Sequence, residues 1–226
     1  MKPELKRRLL SVGMILFAYA ALFLLVDIFL MPFRLWPVGN LFLAFLPLIF
    51  STIIIHLLNK KLHRKWPLII LAVMWLLFLP NAFYYLTDLM WVASFPAGAR
   101  PENTVDIAVW AGLMLIALGE FLAVLAGVLT LRDVHKIIAS KLTTWKTWLV
   151  LSAIFLLSGF AIYMGRFLRL NSWDVLLPWR LVAKIFDNIN MFALQFTLLM
   201  AVVIAVIYVG FWLISRRVQV AIKNQS

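Results

Sequence analysis

The stretch IAVWAGLMLIALGEFLAVLAGVLTL, from Ile107 to Leu131, decides the fold: apart from Glu120 and Thr130, every residue in it is apolar or glycine. About 20 such residues cross roughly 30 Å of hydrocarbon as an α-helix, and in lipid a helix satisfies each backbone group within its own segment. Working outward, further apolar runs lie at about 9–30, 41–58, 66–86, 145–168 and 191–214. The third is short, and it borrows length from Lys65 and from Asn81 to Leu86, with Pro80 expected to bend or end the regular helix. Lys2, Lys6, Arg7 and Arg8 precede the first run in the manner of a secretory signal, but its length and bulky Phe29-Leu30-Met31 exit predict an uncleaved anchor.

The rest of the composition agrees, since 65% of the chain is hydrophobic and its mean hydropathy is strongly positive, which no soluble domain of this length matches. The expectation is an all-α integral membrane helical bundle, one domain over 1–226 with about six transmembrane helices. The net charge of +12 sits mostly in short loops beside apolar runs, so it reads as topology and lipid bilayer rather than nucleic acid. Lys60, Lys61, Arg64 and Lys65 follow the second span, Arg132, Lys136, Lys141 and Lys146 the fourth, and Arg216, Arg217 and Lys223 the sixth. By the positive-inside rule these loops and both termini face the cytoplasm. The opposite, outer side carries Arg34, Arg100, Arg166, Arg169, Arg180 and Lys184 with most of the acids, Asp88, Glu102, Asp106, Asp174 and Asp187.

Two outer segments combine polar, aromatic and helix-interrupting residues. The first is LPNAFYYLTDL, Leu79 to Leu89. If it is helical from Asn81 on, Asn81 shares a face with Tyr85, and Tyr84 with Asp88. The second is GRFLRLNSWDV, Gly165 to Val175, where Arg166 and Arg169 sit three apart, so that both are expected to point into the bundle from the outer end of the fifth helix. Arginine's planar fork suits a carboxylate or phosphate, and Asp27, Asp88 and Asp174 are the protein's own carboxylates near that depth. Asn81, Tyr84, Asn171 and Ser172 supply further hydrogen bonds. Either these groups form an ion-pair network that pins the outer loops, or one arginine is left for an anionic lipid or a small anionic ligand.

After Asp174 the pattern turns amphipathic. Arg180, Lys184 and Asp187 alternate with Val175, Leu176, Trp179, Val182, Ile185 and Phe186, as expected of a short helix lying in the outer interface. Phe83 to Phe95 can dip into the same interface as a re-entrant cover.

Glu120 stands near the middle of the fourth span, where a carboxylate must face protein or water and tends to hold its proton. Gly119, Ala123 and Gly127 form a small-residue stripe beside it, suited to close helix approach. Tyr19, Ser51, Thr52, Ser158, Tyr163 and Gln195 are candidate partners. Glu120 is then either a protonated tie between helices or a group that couples to protons or ions.

Several enzyme classes are unrepresented. Cysteine is absent, which removes thiolate metal sites and cysteine nucleophiles. His56, His63 and His135 stand at or beyond helix ends without paired ligand spacing, so no metal centre is expected. The chain has no phosphate-binding P-loop or dinucleotide glycine fingerprint, and no cofactor is expected. Any catalysis falls to Asp, Glu, Arg and Tyr. The ten tryptophans lie mostly near span ends, as interfacial anchors do.

Phe78-Leu79-Pro80-Asn81 with Thr87-Asp88-Leu89, and Gly165-Arg166-Phe167-Leu168-Arg169 with Asn171-Ser172-Trp173-Asp174, resemble the hallmark segments of a bacterial membrane family catalogued as domain of unknown function 1361. The resemblance covers most of the chain and implies a polytopic bacterial membrane protein, of the cytoplasmic membrane, with no established reaction, substrate or cofactor. Three classes of activity stay open. The outer cluster of Asn81, Tyr84, Asp88, Arg166, Arg169, Asn171 and Asp174 can bind or help to transport an anionic ligand or lipid, with Glu120 as a coupling group. It can serve an enzyme acting on an outer-leaflet lipid or envelope precursor, the arginines holding phosphate and Asp88 or Asp174 acting as base. In an assembly subunit the cluster is scaffold, and the Gly119 stripe or the interfacial helix docks another membrane protein.

Overall fold

The computed structural model of the chain describes residues 3–29, 36–60, 65–89, 107–170, 188 and 190–223. These residues form six α-helices long and apolar enough to cross a membrane: α1 Pro3–Phe29, α2 Trp36–Asn59, α3 Trp66–Tyr84, α4 Ile107–Ala139, α5 Thr144–Phe167 and α6 Met191–Lys223. A 3₁₀ turn, Tyr85–Leu89, continues α3, and no strand occurs among the described residues. The protein is a helical membrane bundle. The interfacial helix expected after Asp174 falls outside the described residues, as does the part beyond Leu89 of the cover expected over Phe83 to Phe95; its first part instead completes α3 and the 3₁₀ turn, with Phe83 and Tyr85 buried.

Helix limits differ from the apolar runs in an instructive way. α4 continues past Leu131 to Ala139, and α6 past Ile214 to Lys223, so Arg132, Lys136, Arg216 and Arg217 stand on helices rather than in loops. Lysine and arginine are good helix formers, and their apolar stems lie along the helix while the charged ends reach water.

α3 differs too. Its 19 residues rise about 28 Å at 1.5 Å each, just short of the hydrocarbon thickness, and the 3₁₀ turn supplies the rest. Pro80 does not end the helix, which runs on to Tyr84. Proline removes one intrahelical donor, and just beyond it the Asn81 side-chain amide donates to the Phe78 carbonyl at 3.1 Å.

The chain divides into two compact units, Met1–Gly127 and Val128–Ser226. In the first, α2 packs against both α1 and α3 around Phe23, Leu41, Phe45, Leu79 and Phe83. In the second, α5 packs along α6 around Leu151, Ile162, Ile204 and Tyr208. Large side chains such as Phe17 at 77% and Val206 at 66% remain exposed. On a soluble protein such surfaces would mark an interface or an aggregation hazard; here they are the lipid-facing side of the spans.

The close approach of α5 and α6 depends on Gly159. A Cβ there would collide with the Thr197 backbone carbonyl and lie 3.1 Å from the Ala201 nitrogen. Gly159→Val is therefore expected to lower unfolding stability in mild detergent by about 1–3 kcal/mol, the usual cost of overpacking. Gly210, with nothing within 4 Å of the position its Cβ would take, provides the contrast. Gly210→Ala should be neutral or stabilising by up to about 1 kcal/mol.

Candidate functional site

In the first unit the polar groups gather where the 3₁₀ turn replaces α-helix. In 3₁₀ geometry residues three apart eclipse one another, so Asp88 stands over Tyr85 rather than over Tyr84 as an unbroken α-helix would place it. The Thr87 hydroxyl donates to the Tyr84 carbonyl at 2.7 Å and steadies the turn. Asp88 is only 1% exposed and interacts electrostatically with Tyr19, Tyr85 and Glu120.

Tyr19 on α1 and Tyr85 on the turn are both buried. The Tyr19 hydroxyl donates to the Leu115 carbonyl at 3.2 Å, and the Tyr85 hydroxyl to the Pro37 carbonyl at 2.7 Å. Their oxygens also lie within hydrogen-bonding reach of each other. Gly119 makes the room: a Cβ at that position would stand 2.6 Å from the Tyr19 hydroxyl and 3.0 Å from that of Tyr85.

Two turns further along α4, Gly127 receives Phe83 and Ala82 in the same way, and Ala123 between them is fully buried. The small-residue stripe is thus filled by this chain's own side chains, and docking of another protein along it is no longer a use open to it. Glu120, half-buried, follows Gly119 directly. Two tyrosine hydroxyls thus meet over Gly119, with the buried Asp88 one 3₁₀ turn beyond Tyr85. Asn81 and Tyr84, both half-buried, sit in the last turns of α3.

In the second unit Arg166 lies in the last turn of α5 and is half-buried, whereas Arg169 is exposed; the expectation that both turn into the bundle fails for Arg169, because α5 ends at Phe167 and helical spacing does not reach it. The helix end is closed by the amides of Leu168 and Leu170, which both donate to the Met164 carbonyl, at 3.1 and 3.2 Å. Between them Arg169 adopts φ 53°, the one positive φ among the described non-glycine residues. An aromatic group holds this end in place. Phe167 meets Phe192 at 4.9 Å and Phe196 at 5.0 Å, both edge to face, and the Tyr163 hydroxyl donates to the Asn188 carbonyl at 3.0 Å. Asn171, Ser172 and Asp174, and the side chain of Asp27, lie outside what the structure describes.

The expected positions thus fall into a carboxyl and hydroxyl set (Asn81, Tyr84, Asp88, Glu120) on the first unit and an arginine pair on the second. No group of three metal-ligating side chains occurs among the described residues. The pairing of Tyr19 with Tyr85 was not legible, because it joins residues far apart in the chain. A second feature was overlooked outright: His135, Trp148, Tyr208 and Trp212 cluster in the second unit. Its trace in sequence is the four-residue spacing of Tyr208, Trp212 and Arg216 along one face of α6.

A family model described as "Protein of unknown function (DUF1361)" matches residues 39–207. That range contains Asn81, Tyr84, Asp88, Glu120, Arg166 and Arg169, but not Tyr19. No curated protein and no solved structure matches the chain.

The clearance at Gly119 has a measurable consequence. Gly119→Ala should cost about 1–3 kcal/mol by overpacking, and Tyr19→Phe about 0.5–1.5 kcal/mol by loss of a hydrogen bond. The double variant should be more stable than the sum of the two costs implies, with a coupling of at least about 0.5 kcal/mol in a detergent unfolding cycle. Strict additivity would mean that the hydroxyl does not occupy the space over Gly119.

Proposed function

The chain belongs to this family of unknown function, and from that premise we propose that it is a multi-pass protein of the bacterial cytoplasmic membrane that binds an anionic ligand or lipid through Arg166 and Arg169. On this reading the chain acts as one transmembrane domain with both termini in the cytoplasm, and the arginine pair faces the outer side.

The observation that carries the reading is the backbone of Arg169. A left-handed residue at a helix end is usually glycine, because any other L-residue there loses roughly 1–2 kcal/mol to contact between its Cβ and the following carbonyl. At this position the chain keeps a long, exposed cation instead. Such strain persists where the surroundings fix it, and it gathers at ligand clamps. The aromatic packing around Phe167 provides that fixing. A phosphate or carboxylate then meets the exposed guanidinium fork of Arg169, with Arg166 in the helix turn before it, at the edge of the hydrocarbon, where lipid headgroups lie.

Glu120 and Asp88 give the binding protein a means of coupling. A proton moving onto or off Glu120 changes the charge facing Asp88 inside the first unit, and with it the packing of the 3₁₀ turn. Movement of the anion across the membrane would need such a link; simple binding would not.

Native mass spectrometry of the gently extracted protein tests the reading, with Arg169→Gly as the main variant. Glycine keeps the backbone conformation, so unfolding stability should stay within about 1 kcal/mol of wild type. The copurifying anion or anionic lipid should be lost at the same time. Loss from Asp88→Ala as well would join the first unit to binding. If both variants retain everything that wild type carries and only a second protein copurifies, the arginines are scaffold and the chain is an assembly subunit. Topology is checked separately: a green fluorescent protein fused after Ser226 should fluoresce, and an alkaline phosphatase in the same place should be inactive.

A further inference from the structure

The second unit holds another built site, at the end opposite to Arg169. A cavity of about 420 Å³ opens where α4 ends, α5 begins and α6 passes, within the size range of small-molecule sites. Arg132 and Lys136 from α4 and Arg216 from α6 all line it, and no carboxylate is among its described lining residues. Three cations brought to one cavity repel each other, and an anion joining them lowers that cost.

One wall is aromatic and fixed in orientation. His135 Nδ1 is 2.6 Å from the Tyr208 hydroxyl, which holds the ring against that tyrosine. The imidazole lies nearly parallel to Trp212, at 22° and 6.3 Å. Trp148 meets the edges of both, each at 5.3 Å. The guanidinium of Arg216 rests 4.8 Å over the Trp212 ring, so its position is set by packing as well as by charge.

The hydroxyl-bearing residues Thr144, Thr147 and Ser215 also line it. Thr144 is the first residue of α5, whose N-cap Thr143 makes no side-chain capping bond, so the first turn of that helix adds partial positive charge of the same sign. A row of cations required only for topology would be scattered over solvent. Here residues from two helices converge on one open cavity beside an imidazole held by Tyr208.

We propose that this cavity binds a phosphate group, with Arg132, Lys136 and Arg216 neutralising it and His135 and Trp212 lying against whatever the phosphate carries. The planar forks of the two arginines fit phosphate oxygens in pairs, and Lys136 adds a point charge. The cavity begins just past Leu131, where the apolar run of α4 ends, at the level of lipid headgroups. The phosphate therefore comes either from an anionic phospholipid or from a soluble phosphate compound.

The test uses the full chain in phosphatidylcholine nanodiscs. In one arm phosphatidylglycerol is added at low mole fraction and its retention is read by native mass spectrometry. In the other, inorganic phosphate and pyrophosphate are titrated and the thermal midpoint is followed. The variants are Arg132→Gln/Arg216→Gln, the exposed Lys136→Gln, and Lys60→Gln as a control that removes the same charge from the first unit.

Wild type should bind in one arm, and that arm names the source. The double variant should bind at least about tenfold more weakly, as expected when charged hydrogen bonds are lost. Lys136→Gln should weaken binding in the same arm, and Lys60→Gln should not. Should the double variant fail to fold, Lys136→Gln against Lys60→Gln decides alone. Binding in neither arm overturns the proposal, and so does equal binding by wild type and Lys136→Gln, or an equal loss in Lys60→Gln. These variants leave Arg166 and Arg169 intact, so failure here is distinct from failure of the reading built on that pair.

Discussion

The absence of water from the hydrocarbon is the constraint on which this structure depends. A backbone amide or carbonyl in lipid finds its partner within the protein or costs several kcal/mol, so the chain spends almost all of its described length in helices. Where α3 must accommodate Pro80, the adjustment stays inside the helix: the lost donor is tolerated, and Asn81 adds a side-chain bond to a nearby carbonyl. The same demand acts on side chains. The hydroxyls of Tyr19 and Tyr85 both reach backbone carbonyls, because a buried hydroxyl without a partner would weaken the unit it sits in.

Close packing replaces the hydrophobic effect as the source of helix association in lipid, and the glycines show where. Gly159 brings α5 against the backbone of α6, while Gly119 and Gly127 make room for tyrosine and phenylalanine tips. The two uses differ physically. At Gly159 the neighbour is backbone and cannot retreat, so a larger residue separates the helices. At Gly119 the neighbours are the far ends of side chains, so the consequence falls first on the hydroxyls and only then on the helix spacing.

Much of this was legible in the sequence, and what was missed has identifiable causes. Spans follow from apolar runs because a single physical requirement, length in lipid, fixes them. The stripe at Gly119 was readable as small residues four apart, but what fills it was not, since Tyr19 and Phe83 come from other helices. The face shared by Tyr85 and Asp88 was missed because α-helical spacing was assumed where the chain tightens to 3₁₀. Tryptophans read as an interfacial belt include Trp75, which is buried at 4% in the core, and Trp148 and Trp212, which clasp His135. Sequence hydropathy cannot separate these uses, because an aromatic ring suits interface and interior equally well.

Depth sorts the chemistry as well as the hydropathy. A permanently charged guanidinium at the bilayer centre costs roughly 2.5–3.5 kcal/mol on insertion scales and more by other measures, so arginine is confined to span ends, where its stem lies along apolar surface and its head reaches polar ground. A carboxyl group can be neutral, and a tyrosine hydroxyl ordinarily is, so these are the groups that tolerate the interior. The chain follows this division: Arg132, Arg166, Arg169 and Arg216 stand where the apolar runs end, while Tyr19, Tyr85 and Asp88 are buried and Glu120 is half-buried near the middle of its span. Recognition of a permanent anion therefore belongs at the ends of the spans and exchange of protons belongs inside.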